Sequence, residues 1–241
     1  MVALLGIGSA AGAELQVSIP CDVTALNYAI VAANNNTGPH TIRLAPGCVY
    51  NVQTPASAGG LGANALPRIT GTVTLLGRHT TIRRDPDATD GFRIAEINGP
   101  NGRLTVEGVT ATGGGYLEYA NQATAFGGGI FTAGISPSIK NSRIGANRAF
   151  DQGGGIYNDR APMDVSSTTI ADNRAGLMGG GIANYGSSTL TKSTVRRNSA
   201  LNGGGIWQAP SPSVLTLVNS RITNNTPNNC RPVGSVPGCT S

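Results

Sequence analysis

Gly127-Gly128-Gly129-Ile130, Gly153-Gly154-Gly155-Ile156, Gly179-Gly180-Gly181-Ile182 and Gly203-Gly204-Gly205-Ile206 are four copies of one tetrapeptide, starting at residues 127, 153, 179 and 203. A second signature keeps the same step: Ser142-Arg143-Ile144…Asn147-Arg148-Ala149, Thr168-Thr169-Ile170…Asn173-Arg174-Ala175, Ser193-Thr194-Val195…Asn198-Ser199-Ala200 and Ser220-Arg221-Ile222…Asn225. Two signatures in one register, with a period in the mid-twenties, define a solenoid.

The residues inside the unit choose among solenoids. Short β-branched runs, glycines and asparagines recur, and no helix-length apolar stripe is present, which sets aside leucine-rich, ankyrin and tetratricopeptide units. Apolar residues stand five positions before the Ile or Val of the second signature: Leu104 before Val109, Ile139 before Ile144, Val165 before Ile170, Leu190 before Val195, Leu217 before Ile222. An odd spacing cannot keep both residues on one side of a straight strand, so a bend is required between them. Short strands joined by corners and stacked in register make an all-β parallel β-helix. Ile144, Ile170, Val195 and Ile222 then form an internal stack. Asn147, Asn173, Asn198 and Asn225 form a corner ladder, and the glycine triplets form a tight corner. A phosphate-cradling loop is the competing reading of a glycine run. No GxxxxGK[ST] is present, and four copies exceed the needs of one nucleotide.

The GGGI unit paired with S-x-I/V-x-x-N-x-A resembles the repeats of secreted bacterial right-handed parallel β-helix proteins of the pectin-lyase-like superfamily. It is similar above all to the GGAI-type repeats of polymorphic outer-membrane proteins and autotransporter passengers. The resemblance covers 104–226 closely and 22–103 loosely. It implies a right-handed β-helix and leaves function open, since the superfamily includes lyases, glycosidases and adhesins. This chain writes GGGI where those proteins favour GGAI, and it lacks their C-terminal barrel.

Outward from the repeats, 241 residues with 35 glycines, 12 % charged residues and 39 % apolar residues fit one narrow-cored domain over 14–227. Counting from 41 to 226 gives about seven coils and a rod of roughly 34 Å. Residues 22–34 read as a short capping helix, started by Asp22 or Thr24, with Leu26, Ala29, Ile30 and Ala33 on one face. It would cover the open end of the core. Residues 53–70, rich in Gly, Ala, Ser and Pro, read as a long loop. The spacing from Val109 to Ile144 is too long by about nine residues, which places an inserted loop at 115–120. Residues 1–13 read as the remnant of a secretory signal ending in an A-x-A-like site, Ala11-Gly12-Ala13, and 228–241 as a disulfide-tied tail.

Cys21, Cys48, Cys230 and Cys239 allow three pairings. The local one, Cys21 with Cys48 and Cys230 with Cys239, is favoured because each pair lies at one end of the rod. Disulfides place the chain in a secreted, extracellular setting. With no CxxC and no nearby histidine pair, no metal is expected, and no motif asks for a cofactor. The formal charge of +5 comes without Lys/Arg runs or interleaved aromatics, so nucleic acid is not the expected partner. No stretch reaches the roughly 18 apolar residues of a spanning helix. The chain is read as a monomer.

Two columns are candidates for binding. Phe131, Tyr157, Ala183 and Trp207 each follow a GGGI isoleucine, so alternation turns them outward, with Tyr116 and Tyr119 of the insertion nearby. Aromatics in a line suit a polysaccharide; the alternative is that they pack on each other to finish the surface. Arg148 and Arg174 share a second column, and Arg143 and Arg221 a third, where an acidic polysaccharide would be held by charge-assisted bonds; the alternative is plain solvated surface charge. Acidic residues are scattered, and His40 and His79 lie far apart in sequence, so no catalytic residue is assigned. Two functions follow: binding of polysaccharide or a surface partner without turnover, or an extracellular polysaccharide lyase or glycoside hydrolase with a groove beside 115–120.

Overall fold

The bend that the five-residue spacing demands is built from left-handed backbone. Asn141, Ser167, Lys192 and Asn219, equivalent positions in four coils, have φ of 47°, 48°, 48° and 51°. Each lets the chain turn so that the apolar residues on both sides face inward. In the computed structural model, which describes residues 14–57, 62–115, 126–133 and 135–240, the result is an all-β parallel solenoid of about seven turns with one short helix. All registered strand pairs are parallel. Among the described residues they form a sheet of thirteen strands folded over two faces, a sheet of six strands, and a two-stranded pair at Arg148–Ala149 and Arg174–Ala175.

Three inward columns fill the core. One runs Ile42, Leu75, Val106, Ile139, Val165, Leu190, Leu217. The next runs Tyr50, Ile82, Ala111, Ile144, Ile170, Val195, Ile222. The third runs Ala95, Ile130, Ile156, Ile182, Ile206, Cys230. Most of these residues are buried, and like sits on like at the strand spacing of about 4.8 Å. Two expectations change here. Val106 and Ala111, rather than Leu104 and Val109, share the columns of Ile139 and Ile144. The strand Arg103–Thr112 buries Leu104, Val106, Val109 and Ala111 alike, so the five-residue spacing occurs in it twice. The second half of 53–70 is also more than a loop. Ala65, Leu66 and Ile69 are buried and hydrogen-bond to Arg93, Ile94 and Glu96 as a further rung. The first half is only partly described, and the insertion lies mainly outside the described residues.

Polar ladders bind coil to coil. The backbone N–H and side-chain Nδ2 of Asn147 both donate to Asn173 Oδ1, at 3.0 and 3.1 Å; Asn173 repeats the bonds to Asn198, and Asn198 to Asn225. A hydroxyl ladder runs beside it: the N–H groups of Ser142, Thr168 and Ser193 donate to Thr168 Oγ1, Ser193 Oγ and Ser220 Oγ. The middle glycines, Gly128, Gly154, Gly180 and Gly204, run against the backbones of Arg148, Arg174, Ser199 and Thr226. A Cβ there would come closer than 3.0 Å to those carbonyls. Each coil is therefore pinched at this corner until two walls touch.

Both ends are closed. The helix Val23–Asn34 is capped by Asp22, whose carboxylate accepts from Ala25 N–H at 2.7 Å, and buries Leu26, Ile30 and Ala33. At the other end Val236 of the tail is buried. The disulfides are Cys21–Cys48 and Cys230–Cys239, the local pairing. Cys230 occupies the station that isoleucine fills in the preceding coils, so its bond to Cys239 holds the tail, with Val236, over the open core. Replacing both Cys230 and Cys239 by serine should therefore cost about 2–3 kcal/mol. The check is a thermal melt together with limited proteolysis, which should cut the tail first.

Candidate functional site

The aromatic column lies in the expected register: Phe131 pairs with Tyr157, Tyr157 with Ala183, and Ala183 with Trp207. Sequence reading missed Tyr185. Where its neighbours carry a ring this column has Ala183, and Tyr185, from the corner two residues on, fills the gap. The rings make one continuous line. Phe131 stacks on Tyr157 at 5.4 Å and 7°, Phe126 meets Tyr157 at 4.8 Å and 34°, Tyr157 meets Tyr185 at 5.3 Å and 40°, and Tyr185 meets Trp207 at 4.9 Å and 45°. The tilts mean that neighbouring rings do not fully cover each other's faces. Phe126, Tyr157, Tyr185 and Trp207 are half-buried.

Phe131 departs from the outward expectation. It is buried, because the earlier coil brings the Arg93 guanidinium over its ring at 4.9 Å while Tyr157 covers the other side. Arg93 belongs to a buried polar cluster at that end of the line. Glu96 is fully buried, bonded to Arg68 Nε at 2.7 Å and to Asn64 Nδ2 at 3.1 Å. This is the densest ionisable grouping near the line, but its carboxylate is closed to solvent.

A second amide ladder holds the line from beneath. Asn158, Asn184 and Gln208 are buried; Asn158 Nδ2 donates to Asn184 Oδ1 and Asn184 Nδ2 to Gln208 Oε1, both at 2.8 Å. Because Asn158 follows Tyr157 and Gln208 follows Trp207, the ladder fixes the backbone that carries the rings. Tyr185 Oη donates to Gln152 Oε1 at 2.6 Å. Burial raises the phenol pKa of both Tyr157 and Tyr185, so both stay protonated donors through the neutral range.

One face further round, a line of small oxygen-bearing side chains was also missed: Thr74, Thr105, Ser138, Asp164, Thr189 and Thr216 on successive rungs. Their side chains make no hydrogen bonds within the described residues. The signal was present, since all but Thr74 directly precede the apolar residue that opens a five-residue spacing.

The arginine columns also stand in register. Arg148 pairs with Arg174, and Ser199 follows; both arginines are exposed and make no ion pair among the described residues. Arg143, Thr169, Thr194 and Arg221 form the neighbouring column. Asp172 bridges Arg143 Nη2 at 2.6 Å and Arg197 Nε at 2.7 Å, and these bonds, led by Arg197, hold its carboxyl below the usual range. Tyr116 and Tyr119 lie outside the described residues. His40 is buried within Pro39–Arg43, and His79 is exposed at a bend. Among the described residues no three His, Cys, Asp or Glu side chains gather to hold a metal ion, and no helix is long and apolar enough to cross a membrane. Comparison with protein-family models, with curated proteins and with solved structures finds no match.

Proposed function

We propose that this protein is a secreted or cell-surface β-helix that binds a polysaccharide along its aromatic line without turning it over. The observation that carries this reading is the line itself, which runs over consecutive rungs from Phe126 and Tyr157 through Tyr185 to Trp207. Tilted, half-buried rings on a rigid backbone offer apolar surface to sugar C–H groups, and the Tyr157 and Tyr185 hydroxyl oxygens offer acceptors. A rung spacing of about 4.8 Å gives a repeating polymer a repeating surface, and the unpaired hydroxyls of the neighbouring face extend it. Arg148 and Arg174 add positive charge that favours an acidic chain. The two disulfides and the resemblance of the repeats to secreted β-helix proteins support an extracellular setting.

The test is a glycan array on the disulfide-intact protein, followed by titration with each glycan bound. The Tyr185→Ala, Trp207→Ala double variant should weaken binding at least about tenfold, the loss of roughly 1.4 kcal/mol of ring contact, and no unsaturated products or new reducing ends should appear. Undiminished binding in the double variant, or product formation, would sink the proposal.

A further inference from the structure

The pinched corner has a second aspect. Beyond the contact between the glycines and the opposing wall, the chain turns back through 150–152, 176–178 and 200–202, and these turns project as a thin edge. On two successive rungs the edge carries exposed leucines in register with each other, Leu177 at 42 % and Leu201 at 64 %, with Met178 half-exposed beside them. Their fixed spacing is enforced by backbone bonds between turns: Leu177 N–H to Asp151 O at 2.7 Å, and Asn202 N–H to Leu177 O at 2.8 Å. The edge is therefore a rigid ridge that holds its aliphatic side chains outward, where free loops would fold them in.

The charge beside the ridge is positive. Arg148 and Arg174, two and three residues before Phe150 and Leu177, are exposed and make no ion pair among the described residues. The nearest acid on the flank, Asp172, is already held by Arg143 and Arg197. Asp151 lies in the ridge as a part-buried carboxyl whose pKa burial raises, a single acid beside the two arginines.

We infer that the Leu177–Leu201 ridge, flanked by Arg148 and Arg174, docks on the surface of a lipid bilayer containing anionic headgroups. Apolar side chains on a rigid edge enter the headgroup and acyl boundary, while guanidinium groups bond lipid phosphates at the level just above. A convex ridge of this kind suits a deformable bilayer better than a folded protein partner, which would need a matching groove. The inference does not rest on the aromatic rings, although it shares Arg148 and Arg174 with the polysaccharide reading.

The experiment is co-sedimentation of the full, disulfide-intact protein with vesicles of phosphatidylcholine alone and of an equal mixture of phosphatidylserine and phosphatidylcholine. Partitioning onto the mixed vesicles should exceed that onto phosphatidylcholine by at least about tenfold and should fall as salt rises. The Leu177→Asp, Leu201→Asp variant should lose binding to both kinds of vesicle. The Arg148→Gln, Arg174→Gln variant should lose only the preference for phosphatidylserine. All four positions are exposed, and unchanged melting temperatures would show the fold intact. Failure of the wild type to sediment with mixed vesicles overturns the inference, as does retained binding in the leucine variant. Tyr185→Ala, Trp207→Ala should sediment as the wild type does; its loss of binding would place the contact on the aromatic line and overturn the ridge assignment.

Discussion

Gly154→Ala should destabilise the protein by more than about 3 kcal/mol, beyond the usual range for an overpacked core site, and lower its melting temperature by roughly 10 °C. The added methyl would press on the Arg174 carbonyl group on one side and on the Gly180 carbonyl oxygen of the next coil on the other. Both neighbours are backbone, held in ladders, so neither can rotate away as a side chain would. The cost is purely one of space, because Gly154 has no positive φ. Gly47→Ala separates the two kinds of glycine requirement: its φ is 66° but nothing lies within 4 Å of the place its methyl would take. It should lose only about 1 kcal/mol, the strain of left-handed backbone. A thermal melt of both variants decides the matter; equal losses would mean that the pinch relaxes.

The asparagine ladder should give the second large effect. Asn173→Ala removes the acceptor for both the N–H and the Nδ2 of Asn147, and the donor to the carbonyl of Ile144, all in a buried corner. At about 1–3 kcal/mol for each buried group left unpaired, the loss should reach roughly 3–5 kcal/mol. Asn225 donates its N–H and Nδ2 to Asn229 Oδ1, and Asn229→Ala, at this half-exposed end of the ladder, should lose about 1 kcal/mol or less, since water can replace it. Asn173→Asp adds a sign that urea titration at several pH values can read. Its carboxylate would be buried against Asn198 Oδ1 and the Ile144 carbonyl, which raises the folded-state pKa above the ordinary value near 4. The folded state then binds the proton more tightly than the unfolded state. Stability should be greatest below pH of about 4 and fall as pH rises above it. An Asn173→Asp variant that is stable at pH 7 and weakened by acid would contradict the ladder's role.

The period was legible because a parallel solenoid writes each structural station into the sequence at nearly equal intervals, and interior stations tolerate few residue types. Asn173 must offer both a donor and an acceptor, Gly154 must have no side chain, and Ile170 must fill an apolar slot. The same logic made the cysteine pairing readable, since only residues at one end of a rod can meet. Register was less legible where a strand is longer than its neighbours: in Arg103–Thr112 alternation makes four residues equally inward, and spacing alone could not choose Val106 over Leu104. The rung at 63–69 was hidden because its apolar residues, Ala65, Leu66 and Ile69, are diluted by small ones. Tyr185 escaped for a different reason. It serves the aromatic line from a corner, out of phase with the column it completes, and only three-dimensional contact joins it to Trp207. Phe131 was placed in the correct column but on too exposed a surface, because its cover, Arg93, comes from a coil with no GGGI mark.

The near-identity of successive stations has a hereditary consequence. Ile156 and Ile182 pair directly across one full coil, and the same ladders enter and leave that coil. A tandem duplication of the coding segment between them would splice in without a seam, since each new station would meet a neighbour of its own kind. The rod can thus lengthen or shorten across generations in whole steps of about 4.8 Å, each step adding or removing a ring from the line while the two end closures stay as they are.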